Sequence, residues 1–269
     1  MTGLRKRLFR GFGRHSPCEP YAELRDLPRY QRSVVELLGH PFVVPDGISF
    51  YNNYREIFVD EIYRFSSPDA RPVIVDCGAN IGTSILYFKS IYPDCSITAL
   101  EADPGMFSIL ENNLAARGLE GITLINKALH HEGLPVSFHV EGADAGRIHP
   151  LGDACKESIT VETIRLDDLI GERVDFLKID VEGAETEVIC ASRKLGRASS
   201  LFVEYHSFAD SPQILPRLLS ALTDCGFRYF IQTQQCPARP LVQQDNHLGM
   251  DLQLNIFARR KNGADDPET

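Results

Sequence analysis

No stretch of this 269-residue chain approaches the roughly 18 consecutive apolar residues that a membrane-spanning helix needs, so integral membrane association is not expected. A surplus of positive charge is missing too. Lys and Arg number 28 against 37 Asp and Glu, a formal net charge of −9, and nothing global invites a polyanion, so nucleic acid is not an expected partner. The seven cysteines (18, 77, 95, 155, 190, 225 and 236) include no C-x-x-C pair, and several sit inside apolar runs. That is the pattern of reduced, packed thiols, which argues against a zinc site and for a cytoplasmic protein.

Charge of one sign is concentrated only at the N-terminus, where Arg5, Lys6, Arg7, Arg10 and Arg14 occur with no acid between them. A signal peptide would need a continuous apolar core after those charges, and GFGRHSPCEP supplies none. Residues 1–14 are therefore expected to be a flexible basic tail. Residues 15–70 suggest a helical cap. Val34, Val35 and Leu38 share a helical face ending at Gly39, Asp46-Gly47 suggests a small hairpin, and Asn53 with Glu56 suggests a capping box for a second helix. Tyr51, Tyr54 and Tyr63 in this segment are expected to pack in the core.

From Val73 the pattern changes to strands alternating with helices: VIVDC, TSILYFKSIY, SITALEA, PGMFSILENNLAARG, ITLINKAL. This alternation predicts an α/β domain over residues 71–260, with a mostly parallel sheet and helices on both faces. PVSFHV and SITVETI predict an antiparallel insertion. Strands VDFLKID and SLFVEYHS follow, each with a helix behind it. The closing strands FRYFIQT and LQLNIFARR are joined by a loop of about 20 residues, a candidate for choosing the substrate. The tail 261–269 is expected to be disordered.

The turn after the first strand of this domain reads Asp76-Cys77-Gly78-Ala79-Asn80-Ile81-Gly82. It lacks the third glycine of the dinucleotide fingerprint, and no Gly-Lys-Ser/Thr follows for a P-loop. Asp76 would repel a pyrophosphate. It suits a ligand with positive charge, and S-adenosyl-L-methionine carries both an ammonium and a sulfonium. Glu101, at the end of the next strand, stands where a carboxylate would take the ribose hydroxyls. An NAD-dependent oxidoreductase is an alternative, but it would want the missing glycine and a Tyr-x-x-x-Lys, which is not seen. A catalytically idle adenosyl-binding module is another.

The stretch DDLIGERVDFLKIDVEGAETEVI, residues 167–189, is the most distinctive in the chain. Together with VDCGANIGTS, ALEADP, TIRLDDLI and FVEYHS, in that order, it resembles the FkbM-type S-adenosylmethionine-dependent methyltransferases. The resemblance covers roughly residues 50–230 and implies a Rossmann-like seven-stranded sheet with its last strand antiparallel. The implied activity is methyl transfer, usually to a hydroxyl of a saccharide or secondary metabolite. Carried over by position, Asp76, Gly78, Asn80 and Gly82 would hold the methionine end, Glu101 the ribose, and the stretch from Asn126 to Ala128 the adenine edge, with Ala79 and Ala102 also cofactor-binding.

Asp180, ending its strand at the expected switch point, should face the reacting centre, either as a base or by holding cofactor or acceptor. His206 is the other candidate base, and Glu182 is a further candidate. Glu185 is explained by capping of the helix it enters. Asp180, Glu182, Glu204 and His206 could bind a divalent cation, but no metal-specific spacing exists among them, and no metal is assigned. The acceptor's identity and the oligomeric state are not legible.

Overall fold

A computed structural model describes residues 19–139, 158–242 and 248–260. Its first elements depart from the expected helical cap. After a 3-10 turn at Ala22–Asp26, Val34 and Val35 lie in a strand, β1 (Ser33–Leu37), paired antiparallel with β2 (His40–Val44). Leu38 and Gly39 join them at φ of 52° and 77°, the left-handed geometry of a two-residue hairpin. The hairpin thus lies ahead of Asp46-Gly47. Asp46 instead caps helix α1 (Gly47–Tyr54), its Oδ1 accepting the Ser49 N–H at 3.0 Å. The predicted Asn53–Glu56 capping box does not start a helix, because α1 is already under way and runs on into a π-helical turn at Arg55–Val59.

Beyond this segment the predicted alternation holds. In chain order come β3 (Val73–Cys77), α2 (Thr83–Ile91), β4 (Ser96–Leu100), α3 (Pro104–Ala115) and β5 (Ile122–Ile125). Four short strands follow: β6 (Ala128–Leu129), β7 (Val136–His139), β8 (Ser158–Val161) and β9 (Thr163–Ile164). Then come α4 (Leu166–Leu169), β10 (Val174–Ile179), α5 (Glu185–Ala191), β11 (Ala198–Phe208), α6 (Leu215–Asp224), β12 (Phe227–Gln235) and β13 (Met250–Arg260).

Seven strands form one sheet in the order β12-β13-β11-β10-β3-β4-β5. β13 is inserted between β11 and β12 and is antiparallel to both, whereas β11, β10, β3, β4 and β5 pair in parallel. The last strand is therefore the reversed one. The third strand is shorter than ITLINKAL, since β6 leaves the sheet to pair with β9. The insertion is the expected antiparallel pair, β7 with β8. Because β12 runs to Gln235, the connection to β13 is shorter than the sequence suggested.

Alternate residues of the central strands point to opposite faces. Ile74, Phe176 and Phe202 join a core shared with α2, α3 and the N-terminal segment, through residues such as Leu37, Phe42 and Phe50. Val75, Leu177 and Val203 join a second core with α5 and α6 on the other face. The N-terminal segment is thus packed onto the sheet. From β3 the chain proceeds through β4 and β5 to one side, while β10 and β11 lie on the other. The carboxyl ends of β3 and β10 consequently flank the switch point where open sheets of this kind bind ligands. Among the described residues, no helix is long and apolar enough to cross a membrane.

Candidate active site

The turn leaving β3 is held by main-chain bonds and forced by close contacts. Gly78 and Ala79 donate their N–H groups to the Leu100 carbonyl at 3.0 and 2.7 Å. Gly78 has φ +100°, and a Cβ there would meet the Asp180 carbonyl oxygen at 1.9 Å. Only glycine fits between the two strand ends. Gly82, at φ +98°, packs on Leu110 of α3, which a Cβ would approach to 2.7 Å. It shapes the turn from behind and does not line the cleft.

Glu101 joins two walls of the site. Its Oε2 accepts the Asn80 N–H at 2.9 Å and its Oε1 accepts the Asp103 N–H at 2.8 Å. Burial nevertheless pushes its pKa up to about 7. Asn126 does not line the cleft. Its Nδ2 donates to the carbonyls of Glu101 and Ala102 at 2.8 and 3.2 Å, fixing the end of β4. Ala102, Lys127 and Ala128 do line the cleft.

Asp76 also stands outside the cleft, fully buried beneath the turn. Its Oδ2 accepts the Ser84 hydroxyl at 2.5 Å, and its Oδ1 lies 3.4 Å from the Lys178 ammonium. Lys178 donates to the Gly78 carbonyl at 2.7 Å and to Asp180 Oδ2 at 3.2 Å. Burial alone would lower the Lys178 pKa, but Asp180, Tyr63 and Asp76 hold it well above the ordinary lysine value. The negative charge read from Asp76 is thus neutralised within the protein. Sequence reasoning missed Lys178, although a lysine inside the otherwise apolar end of the buried run VDFLKI was the available signal.

On the same sheet face, β10 and β11 end in a cluster of acids around one histidine. His206 has a wholly buried ring, with Nδ1 3.0 Å from Glu185 Oε1 and Nε2 3.4 Å from Glu182 Oε2 and 3.7 Å from Glu204 Oε1. Burial would lower its pKa, but the carboxylates of Glu182, Glu185 and Glu204 hold it above the ordinary histidine value. It does not line the cleft. A ring that is buried and stands outside the cleft lining is poorly placed to be the base the sequence suggested. Burial also raises Glu182 and Glu204, the latter to about 8. Glu185 is buried, and its Oε1 accepts the Val181 and Gly183 N–H groups at 3.3 and 2.9 Å, so its place goes beyond a helix cap. Glu182 adopts a left-handed φ of 56°.

Asp180, Glu182 and Glu204 line the cleft together with Gly78, Ala79 and Asn80. Glu101 and Ala102 lie on its other wall, so a single cavity of about 460 Å³ joins the glycine turn, the β4 carboxylate and the acid cluster. The N-terminal segment closes it with Asn52, Glu56 and Tyr63, and the β12–β13 end adds Gln234, Leu248 and Gln253. Tyr51 and Tyr63 are buried and Tyr54 stacks on Phe58, so the tyrosines pack as expected, with Tyr63 also reaching the cleft wall. Five described cysteines are free thiols. Cys18, Cys155, both terminal tails, His149 and His247 lie outside the described residues.

Residues 76–229 match the family model of the methyltransferase FkbM domain, more than half of the chain. The chain belongs to the FkbM methyltransferase family. Methyltransferase sdnD of Sordaria araneosa is 32% identical, over 51% of this chain and 66% of that protein. The 31-O-demethyl-FK506 methyltransferase FkbM of Streptomyces tacrolimicus is 28% identical, over 51% and 66%. The 2-O-methyltransferase NoeI of Sinorhizobium fredii is 27% identical, over 50% and 63%. The match thus spans less than two thirds of the length of each curated relative. The FkbM model begins at Asp76, takes in the glycine turn, Glu101 and the Asp180–His206 cluster, and leaves the N-terminal segment and β13 outside. S-adenosyl-L-methionine is the cofactor of this family, and the cleft fits it in volume and in the carboxylate at the end of β4.

Proposed function

We propose that the protein transfers the methyl group of S-adenosyl-L-methionine to a hydroxyl oxygen of a saccharide or other secondary metabolite. The observation that carries this reading is the continuity of the cleft. The glycine turn and Glu101 stand at one end, and the carboxylates of Asp180, Glu182 and Glu204 at the other. The bound cofactor supplies an activated methyl on a sulfonium, so the protein has to align the acceptor and take up its proton.

Glu101 receives the ribose hydroxyls, and the main chain of Gly78, Ala79 and Asn80 lies along the methionine portion. Asp180, fixed at the cleft wall by Lys178, holds the acceptor hydroxyl, and the carboxylates beside it take the proton. His206 stands behind them as a positioning residue. Two relatives whose printed names specify O-methylation support the choice of oxygen. A small acceptor is favoured over nucleic acid by the excess of acidic over basic residues in the cleft lining. Glu56, Glu101, Asp103, Asp180, Glu182 and Glu204 line it against Arg29, Lys127 and Lys178.

The test is incubation with methyl-labelled cofactor and a panel of polyhydroxylated saccharides and polyketides, with products read by mass spectrometry. Formation of a methyl ether supports the reading. Transfer only to nitrogen contradicts it. Cofactor binding without turnover on any acceptor would favour the idle-module alternative.

A further inference from the structure

We propose that Glu182, Glu204 and His206, with Asp180, form a site for a divalent cation at the inner end of the cleft. No metal was expected from the sequence, because no ligand spacing is visible along the chain. The fold creates the spacing by placing two strand ends side by side. One ligand atom each from Asp180, Glu182 and His206 lies within 4.8 Å of the others. His206 Nε2 is 3.4 Å from Glu182 and 3.7 Å from Glu204. With metal–ligand bonds of about 2.1 Å, neighbouring ligands stand about 3.0–3.5 Å apart and opposite ones about 4.2 Å. The separations of Asp180, Glu182 and His206 are close to these values, and a small closure would bring them onto one ion, with Glu204 reaching it from the His206 side.

The histidine sets this cluster apart from an ordinary group of surface acids. Its ring is wholly buried and its Nδ1 is engaged by Glu185, which two main-chain N–H groups hold in place. A carboxylate on one ring nitrogen is how metal-bound histidines are usually oriented, and here Nε2 faces Glu182 and Glu204, with the Gln253 amide nitrogen 3.4 Å away and donating to Glu204. Opposite Glu204 in the strand register, Asn255 is buried with its Oδ1 lacking a hydrogen-bond partner among the described residues, a further polar group on that sheet face. Three carboxylates and one imidazole favour a cation such as Mn²⁺ or Mg²⁺ over a thiolate-seeking metal. Asp180, Glu182 and Glu204 line the cleft whereas His206 does not, so the ion would sit between the buried ring and the acceptor. Resting on the proposed methyl transfer, this gives the acceptor a defined chemistry: an oxygen-rich group that can approach a cation.

The test is titration of the full chain with Mn²⁺, followed by electron paramagnetic resonance of the free ion, with S-adenosylhomocysteine binding measured calorimetrically on the same sample. One saturable site with micromolar affinity, weakened at least tenfold in Glu182→Gln and in His206→Gln, supports the proposal. Glu185→Gln, which leaves the ligands themselves in place, should weaken it 10- to 100-fold. Circular dichroism identifies any variant that fails to fold, and the wild-type titration stands without it. Absence of saturable Mn²⁺ binding in a wild-type sample that binds S-adenosylhomocysteine overturns the proposal. Affinity unchanged in folded Glu182→Gln and His206→Gln also overturns it, by placing the ion elsewhere. Failure to bind S-adenosylhomocysteine counts instead against the methyltransferase reading.

Discussion

Gly78 and Asp180 lie so close that a Cβ on the first would stand 1.9 Å from the carbonyl oxygen of the second. The contact joins the carboxyl ends of β3 and β10, and it keeps the cofactor turn and the acid cluster at a fixed separation. Main chain meets main chain here, so no side-chain movement can relieve a substitution.

Gly78→Ala should therefore lower stability by about 2 kcal/mol or more, combining the cost of a left-handed residue with the clash. It should also abolish cofactor binding. Gly118→Ala is the comparison, since Gly118 has φ +60° but nothing within 4 Å of the added Cβ. It should cost only about 1 kcal/mol and leave binding intact, as read by urea unfolding and calorimetry.

Lys178→Met should be more damaging. It leaves Asp76 buried with its main counter-charge removed, a loss of about 3–5 kcal/mol by the usual behaviour of broken buried pairs. Adding Asp76→Asn should restore part of that stability. Thermal unfolding of both single variants and the double variant measures the coupling.

Cofactor binding should depend on pH through Glu101. Its folded pKa is about 7, raised by burial, so the ionised form, the one that would accept ribose hydroxyls in the proposed reading, predominates above that value. Affinity for S-adenosylhomocysteine should be constant from pH 8 upward and fall toward tenfold per unit below about pH 7. Glu101→Gln should remove this dependence. A flat wild-type profile between pH 6 and 8 would contradict the assignment.

Asn113 ties the N-terminal hairpin to the cofactor turn, donating to the carbonyls of Val43 and Ile81 and accepting the Val43 N–H at 2.7 Å. Asn113→Ala should cost about 2–3 kcal/mol and weaken cofactor binding as well, because the turn loses its support. A stability loss with unchanged binding would show the hairpin to be mechanically separate.

The alternation of strands and helices from Val73 onward was legible because its two periodicities differ so clearly. The N-terminal segment was not. Val34, Val35 and Leu38 fit a helical face, and Gly39 fits a helix C-cap, but a two-residue hairpin needs the same positive φ. Pairing between β1 and β2 decided between them. Glu101, Asp180, Glu182 and the turn could be read from strand ends alone. The partners of Asp76 and His206 could not, since Lys178 and Glu185 meet them only through the register of neighbouring strands and the turn into α5. For that reason the sequence did not show that Asp76 and His206 stand behind the cleft lining.

The central claim is tested most directly by calorimetric titration of the full chain with S-adenosylhomocysteine, with NAD run alongside, in wild type and Glu101→Ala. Micromolar binding of S-adenosylhomocysteine is predicted, weakened roughly 100-fold in the variant as hydrogen bonds to a charged acceptor are lost. Absence of binding, or a preference for NAD, would contradict the account.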